Sequence, residues 1–275
     1  MPGWCLPRIC RGSVTISGEI CAAMEDASTL PHVPPGGGRP LRVDVVIPAL
    51  NEQEAIGRVL ADIPAWVRQV IVVDNGSTDE TAVRARAAGA VVLHEPERGY
   101  GAACLCGVAE ALSGPEPADI LVFLDGDHSD HADQIPSLIR PIARDEADFV
   151  LGSRTLGRAD AGALMPQQRW GNALATTLIR YLYGARYTDL GPFRAISRSG
   201  YERLHMADRN YGWTVEMQVK AVRLGLRWKE VPVDYRVRIG TSKVSGTVRG
   251  TLGAGYKILR TIFAVHFSSL GASQK

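Results

Sequence analysis

The chain has 275 residues, 45% of them hydrophobic, and a formal net charge of +2 at pH 7. A chain of this length can bury a sizeable core as one large domain or as two small ones. The near-neutral charge does not indicate a nucleic-acid partner, and none is expected. Since the sequence has no uninterrupted run of roughly 18 apolar residues, it excludes a helix that spans a bilayer.

The first forty residues differ in composition from the rest of the chain. Residues 1–40 contain Pro and Gly with little periodicity and end in the run Pro34–Gly38, so we predict a disordered leader. They hold no continuous apolar segment of the kind that a cleaved signal peptide needs. Met24 is a candidate for the true start; N-terminal sequencing of native protein that began at Met1 would reject this hypothesis.

The cysteines point to a reducing compartment. Three of the five lie within the first 21 residues, and the other two are Cys104 and Cys106. Their spacing matches neither a zinc site nor an even disulfide framework. We therefore expect a cytoplasmic protein.

From Val43 onward, short apolar strands alternate with amphipathic helices. The predicted strands are Val43–Ile47, Val70–Val73, Val91–Leu93, Ile120–Leu124 and Phe149–Leu151. The predicted helices are Glu52–Ile63, Thr78–Ala88, Ala102–Leu112 and Gln134–Ala143. Beyond Gly152 the pattern weakens, with helices predicted over Gln167–Tyr183 and Val215–Leu224 and an extended segment over Trp228–Tyr235. The alternation predicts an α/β fold with a mostly parallel sheet flanked by helices.

Two carboxylates follow the fourth predicted strand, at Asp125 and Asp127. Open α/β sheets bind their ligands at the carboxyl edge, where this strand delivers them. Two hard oxygen ligands at one point suit Mg²⁺ or Mn²⁺ held jointly with substrate phosphates. The motif is weak by itself, because Asp is common in turns.

The first two strands also end in polar residues. Asn51 follows the first strand, where it is predicted to cap the next helix, and Asp74 ends the second strand beside a Gly turn. Each segment alone is an ordinary strand-to-helix turn. Together with Asp125 and Asp127, they place three polar clusters at one edge of one sheet, which favours a binding site.

The ordered motifs resemble those of a known family. They are I-P-A-L-N-E (47–52), V-V-D-N-G-S-T-D (72–79), R-G-Y-G-A-A (98–103), D-G-D (125–127) and G-S-R (152–154). This series resembles a family 2 glycosyltransferase of the GT-A fold. Three further segments, D-L-G-P-F-R (189–194), W-T-V-E-M (213–217) and R-I-G-T-S-K (238–243), extend the similarity to dolichyl- or polyprenyl-phosphate sugar synthases. The resemblance implies a single GT-A domain over 41–245, followed by a basic amphipathic C-terminal segment over 246–275.

The resemblance implies how a nucleotide-sugar donor is bound. Pro48, Asn51 and Glu52 would line the nucleotide pocket, and Asp74 would hydrogen-bond the base. The usual second Asp of the V-V-D-D motif is Asn75 here, which leaves the preference for uridine or guanosine open.

The same resemblance implies a metal site. Asp125 and Asp127 would hold Mg²⁺ or Mn²⁺ on the donor diphosphate, where the ion neutralises the charge that develops on the leaving group. The chain continues with His128, Ser129 and Asp130 rather than with the Leu-Gln of mannosyl-lipid relatives. A third ligand, Ser129 or Asp130, therefore stays open.

Four basic residues would contact phosphates in the family's pattern. Arg154 and Arg169 match positions that engage an acceptor phosphate. Arg238 and Lys243 fall in a loop that closes on the donor phosphates. Arg suits these roles because its planar fork binds phosphate oxygens in pairs.

The acceptor decides whether a base is needed. A phosphate monoester is already an anion at neutral pH and attacks the anomeric carbon directly, with inversion. A hydroxyl acceptor requires a base within hydrogen-bond reach, and Glu216 or Asp189 are the candidates. We predict transfer of a hexose from UDP-glucose or GDP-mannose to a polyprenyl or dolichyl phosphate; a hydroxyl acceptor is the alternative.

Other protein classes fit the sequence less well. An EF-hand is excluded because Asp130 stands where its loop needs Gly, and a Rossmann dehydrogenase is disfavoured because Cys104 replaces the third Gly. A nucleotidyltransferase is disfavoured because it would need a Gly-rich loop with Lys after the first strand, and residues 48–52 contain neither Gly nor Lys. Zinc at His128 and His131 remains a minor alternative. A non-catalytic nucleotide-sugar or membrane-binding module is disfavoured by the intact pair of aspartates.

The C-terminal segment carries a basic amphipathic pattern. From Tyr235 to Lys275 there are seven Lys or Arg residues and no Asp or Glu. Apolar residues recur at helical spacing, at Leu252, Tyr256, Leu259 and Phe263. This pattern is typical of a helix in a membrane interface, so a peripheral position on the cytoplasmic membrane face is an option. A helix packed on the protein's own core or on a dimer partner gives the same pattern, and the sequence does not indicate an oligomeric state.

Overall fold

The computed structural model describes residues 39–240 and 248–268. All of them belong to one unit that spans 31–275. The predicted disordered leader lies almost entirely outside the described residues, and so does Lys243. The boundaries predicted at 41–245 and 246–275 stay predictions.

Seven strands form a single sheet in the order β3-β2-β1-β4-β6-β5-β7. They are β1 (Val43–Ala49), β2 (Gln69–Asp74), β3 (Val91–His94), β4 (Ile120–Phe123), β5 (Phe149–Ser153), β6 (Arg194–Ser197) and β7 (Trp228–Pro232). β6 runs antiparallel to both of its neighbours, whereas the other pairs are parallel. The predicted α/β class and mostly parallel sheet are confirmed.

Helices cover both faces of the sheet. They are α1 (Ile56–Asp62), α2 (Thr81–Ala87), α3 (Tyr100–Ala111), α4 (Ile135–Ala143), α5 (Pro166–Tyr183), α6 (Arg198–Leu204), α7 (Trp213–Arg223) and α8 (Val248–Phe267). A short 3₁₀ turn, Ala132–Gln134, precedes α4. The predicted helices are present with shifted ends, and α6 and β6 are additions that the sequence pattern did not reveal.

The alternation of side chains along the strands separates two apolar layers. Val46 of β1 packs in one layer with residues of α3, α5, α6, α7 and α8, while its neighbour Val45 packs in the other layer with residues of α1, α2 and α4. Successive strand residues point to opposite faces, so one strand contributes to both layers. The two apolar layers therefore pack on opposite faces of the sheet, and the candidate site lies at the carboxyl ends of its strands.

The first helix begins later than predicted. Asn51 adopts a left-handed backbone with φ of 53°, and α1 starts only at Ile56, after the uncapped Ala55. The prediction that Asn51 caps this helix is therefore wrong. Its side-chain oxygen Oδ1 instead accepts a hydrogen bond from the Thr78 backbone amide at 2.8 Å, so Asn51 links the loop after β1 to the loop after β2.

The C-terminal helix α8 packs against the domain along one face. Ile262 and Val265 are buried in the layer formed with α5 and α7. The opposite face leaves Tyr256, Phe263 and Phe267 exposed by 70%, 41% and 81%. One face of this helix therefore packs on the protein's own core, and a membrane or dimer contact of the exposed face stays a prediction. In the part of the chain that the structure describes, no helix is long and apolar enough to cross a membrane.

Candidate active site

A cleft of about 260 Å³ opens at the carboxyl ends of β1, β2 and β4. The chain leaves β1 toward β2 on one side and reaches β4 on the other, and ligands of open α/β sheets bind at such a switch point. Its walls are formed by Pro48, Ala49, Leu50, Glu52, Asn75, Arg98, Gly99, Tyr100, Ala103, Asp125, Gly126, Asp127, Asn210, Tyr211 and Arg238.

Asp125 lies at the floor of this cleft with an unused oxygen. Its Oδ1 is buried and has no hydrogen-bond partner among the described residues. Burial, and then the negative charge of Asp127, raise the pKa of Asp125 to about 7. A buried carboxylate oxygen without a hydrogen bond is costly for a fold unless a ligand compensates it.

Asp127 is buried, and neighbouring groups hold both of its oxygens. Its Oδ1 accepts hydrogen bonds from the Ser129 backbone and hydroxyl at 2.9 and 2.5 Å. Its Oδ2 lies 3.3 Å from the Arg238 guanidinium, which also reaches Glu52 at 3.2 Å. One arginine therefore links two predicted site residues across the mouth of the cleft.

The segment after β7 is hydrogen-bonded to residues 127–129, and these hydrogen bonds position Arg238. The Arg236 amide donates to the Ser129 carbonyl at 3.0 Å, and the Ile239 amide donates to the Asp127 carbonyl at 2.9 Å. The Arg236 guanidinium lies 2.9 Å from His128 Nε2. His128 also contacts Asp62 at 3.0 Å. It therefore helps to hold the segment after β7 in place.

Asn75 builds the wall between β2 and α3. Its side-chain amide donates to the carbonyls of Glu95 and Glu97 at 3.0 and 2.7 Å, and its oxygen accepts from the Gly99 amide at 2.8 Å. An amide supplies both donor and acceptor here, which a carboxylate does not. Asp74 beside it accepts from the Ser77 amide at 2.9 Å.

The opposite wall depends on two close approaches of backbone. The Ala102 amide donates to the Arg209 carbonyl at 2.9 Å. A Cβ at Gly99 would lie 2.1 Å from the Arg209 oxygen, and a Cβ at Gly101 would lie 2.0 Å from the Asp208 oxygen. Glycine is therefore required where the start of α3 meets the loop that carries Asn210 and Tyr211.

The two arginines predicted to contact an acceptor phosphate lie in different surroundings. Arg154 binds Asp189 through Nε and Nη2 at 2.8 and 2.7 Å and lies over the Tyr235 ring at 5.0 Å. Although burial acts in the opposite direction, the Arg154 guanidinium holds the pKa of Asp189 below its usual range. Arg169 is exposed on α5, and neither arginine is among the residues that form the cleft wall.

Glu216 lies on the far side of the loop that forms this wall. It is buried on α7, accepts from the Ala207 and Asp208 amides and pairs with Lys220 at 2.7 Å. It is not part of the described cleft wall. Glu216 therefore stabilises the loop that contains Ala207 and Asp208. Its predicted role as a base stays a prediction.

Residues 44–204 match the model of Glycosyl transferase family 2. The chain belongs to this family. A glycosyltransferase of Mycobacterium tuberculosis is 38% identical over 212 residues, which cover 76% of this chain and 93% of the relative. The undecaprenyl-phosphate mannosyltransferase of Micrococcus luteus is 32% identical and covers 76% of this chain and 90% of its own length.

Solved structures show the same fold. A glucosyl-3-phosphoglycerate synthase of Mycobacterium tuberculosis, in complex with Mn²⁺, UDP and glucosyl-3-phosphoglycerate, superimposes with a TM-score of 0.65. The sequence identity is 25%, over 82% of this chain and 79% of that one. The predicted GT-A fold and the predicted family are confirmed, and the alternative of a non-catalytic module is wrong.

Several cleft residues of this glycosyltransferase received no role from sequence reasoning. They are Asn75, Arg98, Tyr100, Asn210 and Tyr211. The R-G-Y-G-A-A motif did carry a usable signal for two of them, since its paired glycines mark a close backbone approach. Asn210 and Tyr211 lie in a loop without a motif, and their position follows only from its contact with α3.

Proposed function

We propose that this glycosyltransferase catalyses a metal-dependent, inverting transfer of a hexose from a nucleotide sugar to a polyprenyl phosphate. The observation that carries the proposal is the pair of aspartates in the cleft: Asp127 is buried, and Asp125 has a buried oxygen without a hydrogen-bond partner among the described residues. Donor binding at this edge is supported by the similar synthase, whose complex contains Mn²⁺ and UDP.

The residues present fit a divalent ion shared with the donor. Asp125 offers a buried oxygen without a described partner, and Asp127 faces the same cleft. Among the described residues, no group of three or more His, Cys, Asp or Glu side chains forms a metal site. Two carboxylates suit Mg²⁺ or Mn²⁺, which keep other positions for phosphate oxygens and water. When bound, the ion supplies Lewis-acid neutralisation of the leaving diphosphate.

The chain's own residues would hold the donor from three sides. Pro48 and Asn75 form the wall at the ends of β1 and β2, where the nucleoside is expected. Arg238 lies at the mouth, and its fork suits a diphosphate as well as the Glu52 and Asp127 carboxylates that it contacts now. Donor binding would therefore move Arg238 from carboxylate oxygens to phosphate oxygens.

The acceptor class is inferred from the carboxylates of the cleft. Apart from the metal pair, the described wall contains one carboxylate, Glu52, and it is paired with Arg238. Asp189 is paired with Arg154 and Glu216 with Lys220. A phosphate acceptor needs no base, so this arrangement favours it over a hydroxyl. The similarity to an undecaprenyl-phosphate mannosyltransferase supports the same class.

A hydroxyl acceptor is the second candidate. It is supported by the similarity to the glucosyl-3-phosphoglycerate synthase. The two candidates differ in their need for a base, and Asp189 would have to leave Arg154 to provide one. Transfer that survived Asp189→Asn would favour the phosphate acceptor.

The test is a transfer assay with purified protein and Mn²⁺. UDP-glucose and GDP-mannose are each offered with undecaprenyl phosphate, with dolichyl phosphate or with 3-phosphoglycerate. The proposal expects a lipid-linked hexose that disappears in the Asp125→Ala, Asp127→Ala double variant. A product formed only with 3-phosphoglycerate, or equal product from the double variant, would overturn it.

We further propose that α5 and α8 rest on the cytoplasmic face of an anionic membrane. The sequences of both helices contain basic residues and no Asp or Glu. Exposed aromatic side chains lie on them, at Trp170 and Tyr181 of α5 and at Tyr256, Phe263 and Phe267 of α8. Aromatic and basic residues without acidic ones complement an anionic lipid interface. Such a position would bring a lipid-linked acceptor to the enzyme.

A further inference from the structure

A second cavity, of about 590 Å³, lies behind the loop that forms one wall of the cleft. Asn210 and Tyr211 of this loop line the cleft, whereas Ala207, Asp208 and Arg209 line the second cavity. Its other walls come from α7 and α8. The loop therefore separates two solvent-filled spaces, and the proposed glycosyl transfer uses only the first.

The walls of the second cavity are rich in cationic side chains. They comprise Arg209, Lys220, Lys257 and Arg260, against the two carboxylates Asp208 and Glu216. Lys257 and Arg260 are three residues apart on α8, so they lie on one face of the helix. Lys220 and Arg209 contribute from α7 and from the loop.

The two carboxylates do not neutralise this set. Lys257 pairs with Asp208 at 2.9 Å and Lys220 pairs with Glu216 at 2.7 Å. Arg209 reaches Glu97, outside the cavity, at 2.7 Å. Arg260 is exposed and has no ion pair with any residue that the structure describes. The cavity thus holds an excess of positive charge beside a buried lysine.

Lys220 has donor capacity toward the cavity. Its side chain is only 7% exposed, and its ammonium donates to the His205 carbonyl at 2.6 Å and to Glu216. An ammonium has three N–H donors, so these two contacts leave one for a ligand. Ammonium and guanidinium groups that converge from three elements suit the several oxygens of a phosphate.

We propose that this cavity is a binding site for a phosphate-bearing anion, separate from the donor cleft. The anion would lie between Lys257 and Arg260 of α8, with Lys220 opposite. Because the same cations hold Asp208 and Glu216, the anion would brace the loop 205–212 and, through it, the wall of the cleft. The assignment does not depend on the identity of the transferred sugar or of its acceptor.

The test uses inorganic pyrophosphate and full-length protein without added metal. Pyrophosphate is expected to raise the unfolding temperature and to slow amide hydrogen exchange in peptides covering 205–212 and 256–264. Arg260→Gln, which removes an exposed side chain, should weaken pyrophosphate binding by at least about tenfold while the unliganded protein keeps its unfolding temperature. Lys257→Gln should have a similar effect on binding.

The matched control is Arg238→Gln, which alters the donor cleft alone. It should leave the pyrophosphate response of 205–212 intact. The proposal is overturned if pyrophosphate changes neither the unfolding temperature nor hydrogen exchange. It is also overturned if the response persists in Arg260→Gln, disappears in Arg238→Gln and is confined to peptides 98–103 and 125–130, because pyrophosphate would then bind in the donor cleft.

A second arm identifies the source of the phosphate. Phosphatidylglycerol vesicles replace pyrophosphate in the exchange measurement. Protection of 205–212 by vesicles, lost in Arg260→Gln, assigns a lipid headgroup to the site. Protection by pyrophosphate alone assigns a soluble phosphate compound. Failure of both probes to protect the loop rejects the site, and this outcome leaves the transfer assay unaffected.

Discussion

At the level of single residues, Asp125 has opposite effects on stability and on the proposed function. The Oδ1 of Asp125 is buried and lacks a described hydrogen-bond partner, and the negative charge of Asp127 lies nearby. Asp125→Asn removes the negative charge of Asp125, so the free energy of unfolding of the metal-free protein should rise by about 1 kcal/mol. Transfer should fall at least about 100-fold, because an amide is a poor ligand for the proposed ion. Urea denaturation and initial-rate measurements check the two effects.

Asp133→Asn provides the matched control for this substitution. Asp133 lies on the neighbouring 3₁₀ turn with a side chain 63% exposed, beside His131. Its substitution should leave both stability and transfer unchanged. A metal-free Asp125→Asn protein that is less stable than wild type would show that the carboxylate supports the fold, contrary to our interpretation.

Asn75 shows why an apparently small departure from the family's motif matters. Its side-chain amide donates to two backbone carbonyls, of Glu95 and Glu97. Asn75→Asp would face those oxygens with a carboxylate, leaving both without their donor. We expect a loss of about 2–3 kcal/mol in the free energy of unfolding. Urea denaturation measures it, and hydrogen exchange should show that 95–99 opens.

Asn75→Ala separates the lost donors from the added charge. It removes the same hydrogen bonds without placing a negative charge against carbonyl oxygens, so its destabilisation should be smaller than that of Asn75→Asp. Equal stability of Asn75→Asp and wild type would mean that the wall of the cleft does not depend on this amide.

At the level of helices and strands, the sequence predicted the parts of the fold that repeat a simple pattern. The apolar runs of β1, β2 and β4 are almost entirely buried, and such runs are easily recognised as strands of a parallel sheet. β6 was missed because it has four residues and begins with the buried Arg194, whose guanidinium donates to the carbonyl of Thr214 on α7 and to that of nearby Gly191. The missed helix α6 had one usable signal, Ser197, whose hydroxyl caps it.

For the candidate site as well, the sequence predicted only part of the arrangement. Glu52, Asp125 and Asp127 lie after predicted strands and do line the cleft, whereas the predicted site residues Asn51 and Asp74 are not among the residues of the described wall. Glu216 does not, because the pattern of α7 shows which residues share a face but not which neighbour that face meets. The contacts of Asn210 and Tyr211 likewise arise from tertiary packing, which the local sequence pattern does not predict.

The junction between α3 and the 208–210 loop gives a test at this level. Ala is normally favoured over Gly inside a helix by about 0.8–1 kcal/mol. At Gly101, however, a Cβ would lie 2.0 Å from the Asp208 carbonyl oxygen. Gly101→Ala should therefore lower the free energy of unfolding by about 2–3 kcal/mol, measured in urea, and weaken donor binding.

Gly57→Ala is the control with the opposite expectation. Gly57 is exposed on α1, and a Cβ there would meet nothing within 4 Å. This substitution should raise the free energy of unfolding by about 0.5–1 kcal/mol. If both variants were stabilised, the close approach at Gly101 would not be a real constraint on the cleft.

For the whole molecule, the ion pairs of Arg238 with Glu52 and Asp127 predict how ligands change the unfolding temperature. Mn²⁺ alone should raise the unfolding temperature little, because Arg238 pairs with Asp127 and Glu52, two of the three carboxylates in the described cleft wall. A donor nucleotide would draw Arg238 to its phosphates and add its own oxygens to the ion. Mn²⁺ and the nucleotide together should then raise the unfolding temperature by about 5 °C or more at 100-fold excess over the dissociation constant.

Arg238→Gln is the informative variant in this thermal-shift experiment. It frees Asp127, so Mn²⁺ alone should gain effect, while the nucleotide should lose affinity. A full shift with Mn²⁺ alone in the wild-type protein would indicate a preformed metal site and would contradict the proposed exchange of partners by Arg238.

The aromatic face of α8 allows the proposed membrane contact to be tested without disturbing the core. Tyr256, Phe263 and Phe267 are exposed, whereas Ile262 and Val265 on the other face are buried. Replacing the three aromatics with Ser should lower binding to phosphatidylglycerol vesicles at least about tenfold in a sedimentation assay. The unfolding temperature should not change, because no buried contact is removed.

Val83→Ser is the control for this triple variant, because Val83 is an equally exposed apolar residue, 63% accessible, on α2 at the other face of the sheet. Its vesicle binding should equal that of wild type. If the triple variant still sedimented normally with vesicles but shifted from dimer to monomer in gel filtration, a second copy of the chain would cover this face. The basic residues of α5 and α8 would then face each other across that contact, and their mutual repulsion is the reason we expect a lipid surface instead.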